Sequence, residues 1–481
     1  MRRITSAAEL GVFSKDAGMF TINPARAYVV ESEEEVSCAV REAAGDGLSV
    51  TPRGGGTSIP SQSVGSGAIL VQARASIQPI GDAVVCEPGV VKVDLNRALS
   101  KYGRWMPVDP SSYASCTVGG MVANNSSGMR TPKYGSTVDY LAGARIALAD
   151  GGILTAGPAA AEEALSGDSR TSKAASLILE NRKEIMEEAP KVTKNSSGYR
   201  LERVARGGVL DIQKLFAGSE GTLGVVTEAT LKTRPRPRWR VLFVAESTLQ
   251  ELDTAVAAFR SLAPAALELV DKSVFRNAER WKSVSRLSRS DSPFMVFCEL
   301  DGEEGGGAER VEEAAGAVGD LEPLVMTDEG DIAAAWETRN ETLTLAQDMK
   351  KGGRRPAPGV EDLVVPQERL GDLVKLLVGQ FERRGLEYIL YGHAGDANLH
   401  ARPLMDLREP SGVKANEGLM EDCFEAAWKM GGSMTGEHGD GMLRAKYVPR
   451  QYPRTYHLME ELKAIFDPKW VMNPRVKIAR P

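Results

Sequence analysis

Residues 48–58 read Leu48-Ser49-Val50-Thr51-Pro52-Arg53-Gly54-Gly55-Gly56-Thr57-Ser58, a short apolar strand running straight into three glycines and two hydroxyl side chains. Successive N–H groups in a glycine run can form an anion nest, and Thr57 and Ser58 add donors, so the loop suits a pyrophosphate. Upstream, Ser32 with Glu35 three residues on reads as a capping box. Val36, Ala39, Val40 and Ala43 then keep helical spacing until Gly45 and Gly47 end the helix. Downstream, strands are expected at Ala68–Val71 and Ala83–Cys86 and a helix around Asp94–Tyr102. The glycine loop lacks the G-x-G-x-x-G form and no helical pattern follows it, which argues against a Rossmann site. A lone triple glycine is most often a tight turn, so other blocks must decide.

Two do. Asp109-Pro110-Ser111-Ser112 leads to Thr117-Val118-Gly119-Gly120-Met121-Val122-Ala123-Asn124-Asn125, and later comes Gly218-Ser219-Glu220-Gly221-Thr222-Leu223-Gly224-Val225-Val226. Small residues dominate both, as needed where backbone passes a flat ring at contact distance, and the polar side chains supply a few orienting hydrogen bonds.

At 481 residues the chain exceeds one usual hydrophobic core, so two domains are expected. The connector Arg234-Pro235-Arg236-Pro237-Arg238 is stiff and charged, which puts the boundary between domains at 1–236 and 237–481. A net charge of −6 argues against a nucleic-acid surface. The basic cluster Lys350, Lys351, Arg354, Arg355 reads as a solvated loop. No stretch is apolar for long enough to span a bilayer and Met1-Arg2-Arg3 opens no signal peptide, so the expected location is cytoplasmic, with peripheral membrane contact left open. Five scattered cysteines, none at C-x-x-C spacing, suggest reduced thiols and no iron–sulfur cluster in this chain.

In the second half, strands are expected at Val241–Ala245, Met295–Leu300, Leu363–Val365 and Tyr388–Tyr391, and helices at Leu249–Phe259, Val311–Val318, Leu370–Phe381 and Glu417–Met430. The class is α+β, with an antiparallel sheet carrying helices on one face as a cap domain. Three of the four histidines lie in glycine-flanked blocks, Gly392-His393-Ala394-Gly395-Asp396-Ala397-Asn398-Leu399-His400 and Thr435-Gly436-Glu437-His438-Gly439-Asp440-Gly441. A strand to Tyr391, a turn and a strand from Leu399 would set His393 and His400 face to face. Two imidazoles and a carboxylate with an open position are a common catalytic zinc arrangement. Any single histidine is more often a satisfied core residue; three in two such blocks favour function. His457 has no motif around it.

With these blocks the sequence resembles the FAD-binding (PCMH-type) fold of the vanillyl-alcohol-oxidase superfamily, and within it the branch of D-lactate dehydrogenases, glycolate oxidase catalytic subunits and D-2-hydroxyglutarate dehydrogenases. The resemblance covers nearly the whole chain. It implies that Arg53, Gly54, Gly55, Gly56, Thr57 and Ser58 hold the FAD pyrophosphate. Pro110, Thr117, Gly119, Gly120 and Asn124 would line the isoalloxazine and ribityl region, and Glu220, Gly221, Val225 and Val226 would meet the adenosine part. Thr57 stands where some relatives attach flavin through histidine, and Cys116 is one place from the position of a cysteinyl link, so non-covalent FAD is expected. The resemblance further implies His393, His400 and Glu437 as ligands of a divalent metal, zinc by donor type, and His438 as the catalytic base. Arg339 and Asn398 would bind the substrate, and the last ~40 residues would return to the FAD domain.

Two departures stand out. Ala397 occupies a usual glycine position, and Val360 replaces a family lysine, which weakens the case for a second substrate carboxylate and favours D-lactate or glycolate. The implied reaction removes the hydroxyl proton at His438 and passes hydride from the α-carbon to flavin N5, yielding a 2-oxo acid. Electrons would leave to a separate acceptor: an iron–sulfur subunit, an electron-transfer flavoprotein, or a quinone or cytochrome. A homodimer is the assembly to test. Alternatives are a D-2-hydroxyglutarate dehydrogenase, another FAD-linked enzyme such as a sugar oxidase or ether-lipid synthase, or a non-catalytic flavin subunit of a larger complex.

Overall fold

The computed structural model describes residues 1–166, 169–272, 286–348 and 353–478. Lys350 and Lys351 of the basic cluster lie outside the described residues. The first helix forms where the spacing predicts, over Glu33–Gly45, and the Ser32 hydroxyl accepts from the Glu35 N–H at 3.2 Å. A cap of this kind contributes about 1 kcal/mol. The return half of the capping box is displaced: the Glu35 carboxylate accepts from the Glu31 N–H at 2.8 Å, one residue before the cap. Val36, Ala39, Val40 and Ala43 bury their side chains against a four-stranded sheet ordered Arg2–Ile4, Arg26–Val30, Ala68–Gln72, Val50–Arg53. The last three strands are parallel, so the glycine loop leaves the sheet from an edge strand.

A second sheet of five antiparallel strands follows, ordered Ile77–Ile80, Ala83–Cys86, Val225–Lys232, Leu141–Ala147, Ile153–Ala156. The short Val118–Asn124 helix packs against its central strand, which continues directly from the Gly218–Gly224 block. Both small-residue blocks therefore meet beside that strand, where the Gly218 N–H donates to Val122 O at 2.9 Å and the Glu220 N–H to Ala123 O at 2.7 Å.

After the connector, whose arginines Arg234, Arg236 and Arg238 are exposed, the chain builds an eight-stranded sheet in which every pairing is antiparallel. Alternation along Trp239–Ser247 divides its two faces: Val241, Phe243 and Ala245 join one apolar cluster, Leu242 and Val244 another. The first face is covered by the helices Leu252–Ser261, Gly307–Ala317, Leu370–Arg383 and Pro410–Lys429, the four-helix layer expected of the cap. The second face receives a further helix, Glu329–Asp348, through Ile332, Ala335 and Trp336. Met129 of the first half packs against that same face.

The halves are joined by buried polar contacts. Arg130 pairs with Asp109 at 2.6 Å and with Glu299 of the large sheet at 2.7 Å, and the Tyr134 hydroxyl donates to Asp301 at 2.8 Å. The C-terminal segment returns to the first sheet, where the Val50 N–H donates to Val471 O at 2.7 Å and the Asn473 N–H donates to Val50 O at 2.9 Å.

Candidate active site

An open cleft, ≈ 1420 Å³ with the space open to solvent included, runs between the glycine loop, the Thr117–Asn124 segment and the Glu220–Val226 segment, and Glu437 and His438 stand on its wall as well. Each residue that the sequence put at a cofactor lines it, from Arg53–Ser58 through Pro110, Thr117, Gly119, Gly120 and Asn124 to Glu220, Gly221, Val225 and Val226. Gln62 and Gln72 also line it and were missed, having no glycine motif around them; Ser127, which closes the Thr117–Gly128 block, lines it too.

The glycines are demanded first by the chain itself. A Cβ on Gly55 would stand 2.2 Å from Ser115 O, and one on Gly54 would stand 2.5 Å from the Thr117 hydroxyl. The two small-residue loops are thus packed main chain to main chain. Gly120 differs: its nearest neighbour, Thr117 Oγ1, is 3.4 Å away, so there the bare backbone faces open cleft.

Two side chains have other engagements. The Arg53 guanidinium donates to Ser63 O at 3.1 Å and Lys15 O at 2.8 Å, bracing the loop that it was expected to arm. Glu220, with φ of 53°, lines the cleft and engages its carboxylate with a neighbouring loop. It accepts from the Asp440 N–H at 2.8 Å and the Gly441 N–H at 2.7 Å, and pairs with Lys477 at 3.0 Å. It therefore ties the cleft to the loop that carries His438.

At the far end lies the histidine cluster. The strands Tyr388–His393 and Asn398–Met405 pair with Tyr391 opposite His400 and His393 opposite Asn398, joined by a single 3₁₀ turn. Ala397 closes that turn at φ 50°, a left-handed conformation that costs a residue with a Cβ about 1 kcal/mol. The His393 and His400 Nε2 atoms approach to 3.3 Å. Glu437 Oε1 lies 3.3 Å from His393 Nε2, 3.2 Å from His400 Nε2 and 3.6 Å from His438 Nε2. Three imidazole nitrogens thus converge on one carboxylate oxygen.

Two of the opposite nitrogens have partners. His393 Nδ1 is 2.6 Å from Glu268 Oε1, and His400 Nδ1 is 2.7 Å from Glu361 O. Such acceptors fix the tautomer that leaves Nε2 a lone pair aimed at the shared point. His438 Nδ1 is buried without a hydrogen-bond partner, 3.6 Å from Glu361 and 3.9 Å from Asp362.

The adjacent Glu437 and His438 reach one place because Asp362 folds their loop. Its carboxylate accepts the N–H groups of Glu437 at 3.1 Å and His438 at 2.8 Å and the Thr435 hydroxyl. Gly439 and Gly441 then turn the chain away at φ of 88° and 53°.

The two halves of this arrangement match two known family descriptions. Residues 24–157 match the family described as FAD binding domain, and residues 235–476 match FAD linked oxidases, C-terminal domain. The chain belongs to the FAD-linked oxidase family. It is 28% identical to the glycolate oxidase subunit GlcD of Bacillus subtilis (strain 168), over 98% of this chain and 92% of that one. It is 27% identical to a D-lactate dehydrogenase of Archaeoglobus fulgidus, over 92% and 89%. A D-2-hydroxyglutarate dehydrogenase of Pantoea ananatis is 29% identical over 98% of this chain, which spans 49% of that protein's length. Among solved structures, alkyldihydroxyacetonephosphate synthase superposes with a TM-score of 0.67 at 17% identity, over 98% of this chain, a likeness of fold.

As an FAD-linked oxidase the chain is a flavin-dependent oxidoreductase, and its cleft suits the cofactor: bare backbone at Gly120, nest-forming glycines, and few charged side chains on the wall. The histidine end suits a divalent cation. Two donor sets compete there: Asp362, His400, Glu437 and His438 all lie within 4.8 Å of one another, whereas the resemblance implied His393, His400 and Glu437 as ligands and His438 as the base. Asp362 is the weaker ligand, because its oxygens already accept from Thr435, Glu437, His438 and the Asn398 amide at 3.1 Å. His393 Nε2 has only the cluster to face.

Charge is balanced around these donors by residues that the motifs did not reveal. Burial disfavours ionisation of Glu437, but Lys194, with Nζ at 3.2 Å, and His393 hold its carboxyl well below the usual range. Burial likewise opposes a charged His393, yet Glu268 lifts it to about 9. His400 is pushed down by burial. For His438 burial acts downward, but the Asp362 and Glu361 carboxylates raise it overall. Lys194, Glu268 and the adjacent Glu361 and Asp362 come from three separate segments; the small-polar run Asn195-Ser196-Ser197-Gly198 beside Lys194 was one readable sign.

The expected substrate residues sit beside the cluster. Arg339 is buried, pairs with Glu268 and lies 5.5 Å over the Tyr391 ring. Asn398 commits its amide nitrogen to Asp362 and Leu363 O at 3.0 Å, leaving Oδ1 buried without a partner. No helix of the described residues is long and apolar enough to cross a membrane.

Proposed function

We propose that this chain oxidises a small D-2-hydroxy acid to the 2-oxo acid, with non-covalently held FAD as acceptor and a divalent metal, zinc by donor type, at the histidine cluster. One observation carries the reading: a single cleft is walled by the glycine loops of an FAD-binding fold and by Glu437 and His438 of the cluster. The names of the relatives support it, since glycolate, D-lactate and D-2-hydroxyglutarate are all 2-hydroxy acids.

His393, His400 and Glu437 would hold the metal, with Glu268 and the Glu361 carbonyl orienting the two imidazoles. A divalent cation there supplies Lewis acidity toward the substrate's hydroxyl and carboxylate oxygens. FAD, when bound, supplies the two-electron acceptor. His438 takes the hydroxyl proton at Nε2, the nitrogen that faces the cluster; its Nδ1 faces Glu361 and Asp362, which stabilise the imidazolium that results. Arg339 Nε and Asn398 Oδ1, both buried and unpartnered, are free to orient the acid. Thr57 and the buried Cys116 on the cleft wall are no flavin attachment points in this reading. Electrons leave to a separate carrier; one relative is named a subunit and others are about twice as long, so both set this unit beside further polypeptide.

Anaerobic mixing with paired D- and L-2-hydroxy acids tests the proposal: D-acids should bleach the flavin, and the absence of bleaching by any of them would leave a non-catalytic flavin subunit as the better reading. Acid precipitation should release the yellow colour. His438→Ala should keep metal and flavin yet slow flavin reduction by about 10²–10⁴-fold, whereas Glu437→Ala should lose metal. The opposite pair of metal phenotypes would exchange the two roles.

A further inference from the structure

The sequence favours a monocarboxylic substrate because Val360 replaces a family lysine, and Val360 is indeed fully buried in the apolar core. The fold brings a cation to the cluster from another position. Arg402 follows His400 by two residues on the strand Asn398–Met405, so both side chains leave the same face of the sheet. Across the pairing, Tyr391 stands opposite His400 and Ile389 opposite Arg402. This is the face that carries Glu268 and His393, and Arg339 comes down on it from the Glu329–Asp348 helix, its Cζ 5.5 Å over the Tyr391 ring.

Arg339 and Arg402 share a feature that sets them apart from the exposed arginines: each buries its Nε without a hydrogen-bond partner. A buried guanidinium donor without an acceptor is unfavourable, and its planar fork matches a carboxylate. Burial pushes the Tyr391 hydroxyl up and the Arg402 and Arg339 charges bring it down; Tyr391 lies 5.2 Å from the His400 ring, under Arg339 and diagonal to Arg402 across the strand pair. Arg402 also acts on Glu361, but that carboxylate is already taken by Arg444 at 2.7 Å and by the Gly359 N–H.

We infer that Arg402, with Arg339, receives a second carboxylate of the substrate, so that the preferred D-2-hydroxy acid is a four- or five-carbon dicarboxylate. The inference rests on the proposed oxidation at the histidine cluster. With the hydroxyl and its neighbouring carboxylate directed to His393, His400 and Glu437, Arg402 leaves the strand about 6.8 Å further on, and its long side chain can cover the distance to a distal carboxylate.

The test measures kcat/KM for D-malate, D-2-hydroxyglutarate and D-lactate by anaerobic flavin reduction in the full-length, metal-loaded protein, then in R402M and R402K. The wild type should favour at least one of the diacids over D-lactate by more than about 10-fold, and R402M should lower that ratio by about 10–100-fold, mostly through KM, as loss of a charge-assisted contact implies. R402K, keeping the charge without the fork, should fall between; should R402M fail to retain flavin, the R402K ratio alone decides. A wild type that prefers D-lactate, or a ratio unchanged in R402M and R402K, overturns the inference while leaving the oxidation intact. Failure of every D-2-hydroxy acid to bleach the flavin overturns the oxidation itself.

Discussion

At one end of the cleft the walls are main chain, and at the other they are buried, charged side chains. The glycine end is made of Gly54 and Gly55, where the Thr117 hydroxyl and the Ser115 backbone leave no room for a Cβ, and of Gly120, whose bare backbone faces the cleft. The histidine end gathers His393, His400, Glu437 and His438 with Lys194, Glu268, Glu361 and Asp362, all buried or nearly so. The first end needs the absence of side chains, a property local in sequence. The second needs opposite charges held close in a place with little water, which only tertiary structure can arrange.

The difference predicts separable failures. Replacing His393 or His400 with alanine removes one of three ligands, and should abolish metal binding and slow flavin reduction by about 10⁴-fold or more, since Lewis-acid assistance is worth several kcal/mol. Flavin content should remain as in the wild type, as judged by the visible spectrum after gel filtration. Loss of flavin together with metal would mean that the two ends are one cooperative unit.

Glu268→Gln sharpens the same contrast at lower cost. It leaves the ligands untouched but weakens the acceptor behind His393 Nδ1 and the partner of Arg339, so metal affinity should fall about 10–100-fold, measured by competition with a chromogenic chelator. At the other end, Gly55→Ala forces a Cβ against Ser115 O and should cost about 1–3 kcal/mol of stability together with weaker FAD retention. Gly120→Ala meets no such clash, so it should keep the stability and lose only FAD affinity. Equal loss of stability in both variants would contradict the distinction drawn between glycines required by the chain and a glycine that faces the cofactor.

The same contrast explains what could be read from the sequence. The glycine blocks, the connector Arg234–Arg238, the strand periods and the paired histidine motifs announce themselves within a dozen residues each, and they led to the α+β fold and to the cleft wall. The histidine turn was readable even to the strained Ala397. What stayed hidden was long-range. Asp362 shapes the Glu437–His438 loop from 75 residues away, and Glu268 backs His393 from 125 residues away. Glu220 lines the cleft, and its carboxylate meets Asp440, Gly441 and Lys477, 220 residues or more along the chain. Lone charged residues inside apolar strands, such as Glu268 in Leu267-Glu268-Leu269, are the signal most worth weighing in such chains.

The central claim is that one cleft houses two independent sites, flavin at the main-chain end and metal at the side-chain end, with the reaction requiring both. Chelation of the purified protein, followed by anaerobic addition of a D-2-hydroxy acid, tests it most directly. The flavin spectrum should survive chelation unchanged, bleaching by the acid should stop, and added zinc or manganese should restore it. Bleaching at full rate in the metal-depleted protein, or release of flavin with the metal, would contradict the account.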